Sequence, residues 1–222
     1  SDHGREICHT LYEASADGCY KVKDPEKLIR IANEWGMETE GKDIYELAHE
    51  VALEGLMEYG KPFGTQRFLK RAPESQQKLW EENELAPHAI DREVSRSLHM
   101  AHMGCSSKPE ALVKQSIRAG LSDGWGGSMM GTEFSDILFG TPKPIETEAN
   151  LGVMVEENVN IVVHGHDPSL SEMICEVADS PEMIAYAKEQ GAKGITISGV
   201  CCTSNEVAMR RGIPMAGNFL QQ

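Results

Sequence analysis

Two short apolar runs, residues 158–163 (NVNIVV) and 194–199 (GITISG), constrain the fold more than any other feature. Each leads straight into a helix start, and a third strand-like run follows at 213–219. Strand, helix, strand, helix, strand at this spacing predicts a parallel, right-handed α/β unit. A strand as apolar as Ile161-Val162-Val163 is expected to be covered on both faces. In open parallel sheets ligands sit at the carboxyl ends of the strands. The first run ends there in His164 and His166, and the second in Cys201 and Cys202.

Upstream, the period changes. Residues 1 to about 140 read as helices. Asp24 with Pro25 makes a start and Gly36 a stop, with Leu28, Ile31, Ala32 and Trp35 on one face between them. A second helix starts near Asp43 and carries Ile44, Leu47 and Val51. A third follows Pro87, with Ile90, Val94, Leu98 and Ala101 as its apolar stripe. A fourth opens at Ser107 and Pro109 and ends at Gly120, after which Gly124, Gly126 and Gly127 predict an irregular loop around Asp123. In the second half, 169–178, 181–190 and 205–211 read as helices. The expected fold class is therefore α/β: an N-terminal helical region, 1–142, truncated at its N-terminus, followed by a Rossmann-like parallel α/β unit, 143–222, truncated at its C-terminus. The chain opens on SDHGRE without Met and stops at NFLQQ just after a strand-like run, which predicts an internal part of a larger multidomain protein.

Composition narrows the partners. A net charge of −14 with no long basic block argues against nucleic acid. No apolar run has the roughly 20 residues of a membrane span, and no secretory signal is present. Six cysteines, two of them adjacent, in a helix-rich chain of 222 residues fit a reducing, cytoplasmic setting better than a disulfide framework.

The 36 residues from His166 to Cys202 suit one crossover between neighbouring parallel strands. Imidazole and thiolate would then meet at one rim of the sheet, a donor set for a transition metal or an iron–sulfur centre. From spacing alone, a helix-capping histidine and ordinary buried thiols remain open, because two ligands do not close a site. His99, His102 and Cys105, at i, i+3 and i+6, form a second stripe of metal-binding residue types.

HGHDPSLSEMI, GVCCTSNEVAMRRGIPMAGNF, SDGWGGSMMGTEFSDILFGTP, DREVSRSLHMAHMG and the opening SDHGRE together resemble the anaerobic nickel–iron–sulfur carbon monoxide dehydrogenases, in order and over nearly the whole chain. The resemblance implies a Ni-Fe-S cluster of nickel, iron and sulfide, with His166 as ligand of an iron outside the cube and Cys202 as its thiolate partner. It makes Cys201 an adjacent, conditional ligand, His164 structural, and the 99/102/105 stripe no ligand set. Asp123 matches the acidic residue beside the family's acid/base histidine. His3 and His9 match two rungs of a proton-conducting histidine ladder, with Glu6 standing in for the rung between them.

The acid/base histidine would precede Ser1. The cysteines of further [4Fe-4S] clusters also lie N-terminal to it, while the remaining cluster ligands and a catalytic lysine lie beyond Gln222. The segment alone is thus expected to be inactive. The implied reaction of the full enzyme is CO + H₂O → CO₂ + 2 H⁺ + 2 e⁻, with a ferredoxin-like electron acceptor, a homodimer, and docking to an acetyl-CoA synthase as a further option. The competing expectations are a hybrid-cluster hydroxylamine reductase and a non-catalytic α/β module.

Overall fold

The computed structural model describes residues 2–17, 21–143, 155–164, 167–200, 202–212 and 215–217. For residues 2, 3, 17, 168, 200, 202–205, 208 and 215–217 it describes the backbone alone. The chain divides into two compact units, Ser1–Leu138 and Phe139–Gln222; the sequence reading puts the division at 142/143.

The first unit is helical. α1 (Asp2–Asp17) packs along α3 (Ile44–Gly60). Ile7, Cys8, Leu11 and Ala14 of α1 and Leu47, Ala48, Val51 and Ala52 of α3 are buried there. The two helices approach closely because Gly55 has no side chain. A Cβ at that position would stand 2.8 Å from Phe134 Cζ and 3.1 Å from Cys8 Sγ. α2 (Pro25–Glu34) begins where its sequence says, with the Asp24 carboxylate accepting from the Lys27 N–H at 2.9 Å. The Asp43 carboxylate does the same for Tyr45 N–H at the start of α3.

After a 3₁₀ turn (Arg67–Arg71) and α4 (Glu74–Glu82), α5 (Ile90–Ser97) departs from its expected stripe. Ile90 is buried, but Val94 is 44% exposed and Leu98 49%, and Ala101 is exposed too. The buried companion of Ile90 is Glu93. Its carboxylate accepts from the His88 N–H at 3.3 Å and from Gln115 Nε2 at 3.0 Å. A satisfied buried carboxylate rotates the helix away from its most apolar face, a tertiary choice that periodicity does not encode.

The glycine-rich stretch is also corrected. α6 (Pro109–Ala119) runs through a π-helix, Gly120–Gly127, into α7 (Ser128–Phe139). Gly120 and Ser128 both keep right-handed helical dihedrals, so the expected loop is helix. Glycine loses helix propensity by about 1 kcal/mol per residue. Here neighbouring packing holds the backbone helical, and the strain shows as the wider π register, a feature frequent at functional sites.

In the second unit β1 (Val159–His164), β2 (Ile195–Val200) and β3 (Met215–Gly217) form a parallel sheet in the order β1-β2-β3. α8 (Pro168–Ala178) and α9 (Pro181–Glu189) join β1 to β2, and α10 (Cys202–Arg211) joins β2 to β3. Asp167 caps α8 through the Leu170 N–H at 3.0 Å. The core is Val163, Cys175, Ala178, Ile197 and Val207, with Ile161, Ile174 and Ile195 packed against it. β1 is not covered on both faces: Val163 is buried, Ile161 and Val162 are half-buried, and Val159 is 45% exposed. It is the edge strand among the described residues, so fewer elements reach it than a central strand.

Candidate functional site

The strand register positions the first group of site residues. Val159 pairs with Ile195, and the ladder continues to His164 opposite Val200. The two strands end together. His166 and Cys202 each follow by two residues in sequence. His166 and Cys201 lie outside the described residues, as does the side chain of Cys202, which opens α10. His164 is described and exposed at the end of β1. Among the described residues no group of three or more His, Cys, Asp or Glu side chains converges as a metal site, the 99/102/105 stripe included. The donor types at the strand ends, imidazole and thiolate, nonetheless fit nickel and iron in a sulfide cluster.

The second group lies in the helical unit. Asp123 is half-buried within the π-helix, next to the fully buried Ser122. Trp125, two residues on, meets Trp80 edge-on with 6.0 Å between ring centroids. α1 crosses the far end of the π-helix at Gly4. A Cβ on Gly4 would stand 2.5 Å from the Tyr59 hydroxyl and 2.8 Å from the Gly127 carbonyl oxygen. Burial pushes the Tyr59 hydroxyl far above the ordinary tyrosine range; Cys8, Asp123 and Asp91 add to this and Arg5 opposes it. Asp123 and Tyr59 therefore share one electrostatic neighbourhood. Burial likewise drives the Cys8 thiol up, which makes it an inert core group rather than a ligand.

His3, Glu6 and His9 all belong to α1. The side chain of His3 lies outside the described residues. Glu6 and His9 are exposed and line a 540 Å³ groove with Arg5, Thr10 and Glu13. His9 Nδ1 stands 3.3 Å from Glu13 Oε1, one turn on. Sequence reasoning missed Gly4, Arg5 and Tyr59. The signal for Gly4 was available: a glycine inside a helix costs stability and marks close backbone approach. Gly4→Ala is expected to destabilise the protein by about 1–3 kcal/mol, read as a lower thermal midpoint, because a backbone carbonyl cannot step aside cheaply.

Residues 1–222 match the profile of the Prismane/CO dehydrogenase family. The chain belongs to that family. It is 47% identical over 224 residues to carbon monoxide dehydrogenase 1 of Methanosarcina acetivorans, covering 100% of this chain and 36% of that protein. It is 40% identical to the carbon monoxide dehydrogenase/acetyl-CoA synthase subunit beta of Moorella thermoacetica, again over 100% of this chain and 33% of the relative. A Ni-free crystal structure of carbon monoxide dehydrogenase from Thermococcus sp. AM4 superimposes with a TM-score of 0.93 at 49% identity, covering 100% of this chain and 36% of that one. This member of the Prismane/CO dehydrogenase family thus spans about a third of its relatives' length, and it is an α/β segment of that larger fold. No described helix is long and apolar enough to cross a membrane.

Proposed function

We propose that this chain is a segment of a carbon monoxide dehydrogenase whose complete form oxidises CO with water to CO₂, two protons and two electrons. The observation that carries the reading is similarity over the whole chain to carbon monoxide dehydrogenases, at 47% and 49% identity for the Methanosarcina and Thermococcus proteins named above. In this reading His166 and Cys202, with Cys201 beside them, contribute ligands to a Ni-Fe-S cluster. The paired ends of β1 and β2 support it, since both sequences leave the sheet at one level. When bound, such a cluster supplies Lewis-acid activation of water and accepts the two electrons.

This chain's own residues handle protons. The Asp123 carboxylate accepts a proton at an Oδ atom or orients the histidine that does so. His3, Glu6 and His9, at intervals of three on α1, stay near one side of the helix and carry protons away from the site. Glu6 serves as a carboxylate rung, because it can take and release a proton as an imidazole does.

We further infer a cytoplasmic, anaerobic homodimer that passes electrons to a ferredoxin-like acceptor through additional [4Fe-4S] clusters held outside this segment. Similarity to the carbon monoxide dehydrogenase/acetyl-CoA synthase subunit beta of Moorella thermoacetica supports docking to such a partner. The test uses the complete native polypeptide, purified without oxygen. It is expected to contain nickel and iron and to reduce a viologen dye with CO. Nickel-free protein that reduces hydroxylamine instead would establish the hybrid-cluster alternative; absence of both metals would make the chain a non-catalytic module.

A further inference from the structure

We propose that Glu172, gripped by Arg210 and Arg211, is a positioning residue for the cluster ligands: it locks α10, which opens on Cys202, against α8, which opens two residues after His166. The inference rests on the reading of His166 and Cys202 as ligands given above.

The strands alone do not set the distance between two such ligands. The ladder brings β1 and β2 to one level, His164 opposite Val200, and stops there. Where Cys202 stands beyond it depends on the rotation and axial position of α10. A helix carries its Cα atoms on a cylinder of about 2.3 Å radius, so turning it by roughly 20° moves a side chain on the order of 1 Å. Metal–ligand distances hold within about 0.2 Å. Among the described side chains α10 gives the core Val207, in one cluster with Cys175 and Ala178 of α8. A contact of that kind is non-directional and holds a helix down without fixing its rotation.

The ion pairs are directional. Glu172 lies in the second turn of α8, and Arg210 and Arg211 in the last turn of α10. One carboxylate oxygen is 2.8 Å from Arg210 Nη1 and the other 2.7 Å from Arg211 Nε. Consecutive helix residues point about 100° apart, so one carboxylate holds both guanidinium groups only when the ridge between them faces α8. That fixes the rotation. Arg211 Nη2 also donates to the Glu172 carbonyl oxygen at 3.3 Å, and Arg210 Nε to the Gly140 carbonyl oxygen at 2.5 Å. Two main-chain acceptors outside α10 thus fix its axial position. A buried ion pair often adds no net stability over apolar side chains of the same volume; what this fork adds is a single alignment. α10 has ten residues, a rod of about 15 Å, so the alignment set at 210–211 is carried to Cys202.

Arg211→Lys in the full-length protein separates alignment from charge, because lysine keeps the positive charge beside Glu172 and loses the fork. In nickel-free protein, hydrogen exchange of the α10 amides 206–209 is expected to rise about tenfold, with the β1–β2 ladder within about twofold of wild type. Nickel chloride titrated anaerobically into that protein should half-saturate it at about tenfold higher concentration, the low end for groups that act behind a ligand. The electron paramagnetic resonance spectrum of the cluster should shift while iron content stays the same. Wild-type exchange in α10, or equal loosening of α10 and the ladder, makes the three residues a core fastener and overturns the proposal. A loosened α10 with unchanged nickel affinity and spectrum overturns it as well, because the helix then moves without consequence for the ligand. If Arg211→Lys does not fold, Glu172→Gln, which keeps the shape and drops the charge, is judged by the same three measurements. If the wild-type protein binds no nickel, the ligand reading fails by itself, and the exchange pattern still decides whether the lock exists.

Discussion

Asp123→Asn in the full-length protein is expected to retain the cluster spectrum and metal content while CO oxidation falls by about 10²–10⁴. The substitution keeps the shape of the side chain and removes its charge and its capacity to take a proton. Asparagine fits the same half-buried position in the π-helix, so the fold has no reason to change. A carboxylate is a hard donor and a poor partner for nickel or iron in a sulfide cluster, so metal retention follows from the same chemistry that assigns the proton role. Anaerobic CO-dependent dye reduction, normalised to nickel, measures the effect. Activity within twofold of wild type would reduce Asp123 to a helix residue of no chemical consequence.

Glu172→Ala is expected to loosen the α/β unit by about 3–5 kcal/mol. Glu172 lies on α8, and its side chain is 5% exposed. One carboxylate oxygen stands 2.8 Å from Arg210 Nη1, itself in a side chain 6% exposed, and the other 2.7 Å from Arg211 Nε. Arg210 also donates to the Gly140 carbonyl at 2.5 Å and lies over the Phe139 ring. Removing the carboxylate takes the acceptor shared by Arg210 and Arg211 out of the interior, and the cost of burying the Arg210 guanidinium then falls more heavily on the folded state. Such a pair need not add net stability while intact; breaking it on one side is what destabilises. Hydrogen exchange reads this locally. The amides of the β1–β2 ladder should lose protection by about 10²–10³-fold, whereas those of α1 and α3, in the other unit, should be unaffected. Equal loss in both units would show that the pair is not a local fastener.

The elements that local chemistry dictates were legible in the residues. Asp24 reads as a cap and Asp43 as the neighbourhood of a helix start, and in the structure each accepts from a first-turn N–H. The apolar runs 158–163 and 194–199 became neighbouring parallel strands, as the strand–helix–strand spacing predicts. What failed was decided by groups distant in sequence. Val94 and Leu98 have the spacing of a buried stripe, yet Gln115, from another helix, draws Glu93 inward in their place. Glycines 124, 126 and 127 read as a loop because propensity counts each residue alone; packing by Gln66, Tyr59 and Gly4 turns the same stretch into helix.

The candidate site divides in the same way. The sequence by itself determined the donor types, imidazole, thiolate and carboxylate, and their order along the chain, because these are properties of single residues and short spacings. Only the tertiary structure decided what surrounds the π-helix of Asp123: a tyrosine from α3 under an arginine from α1, and a glycine of α1 against the Gly127 carbonyl. Those contacts join residues 4, 59 and 127, and no periodicity reports them. They exist because α1, buried against α3, also passes so close to the backbone of the π-helix at Gly127 that only hydrogen fits at position 4.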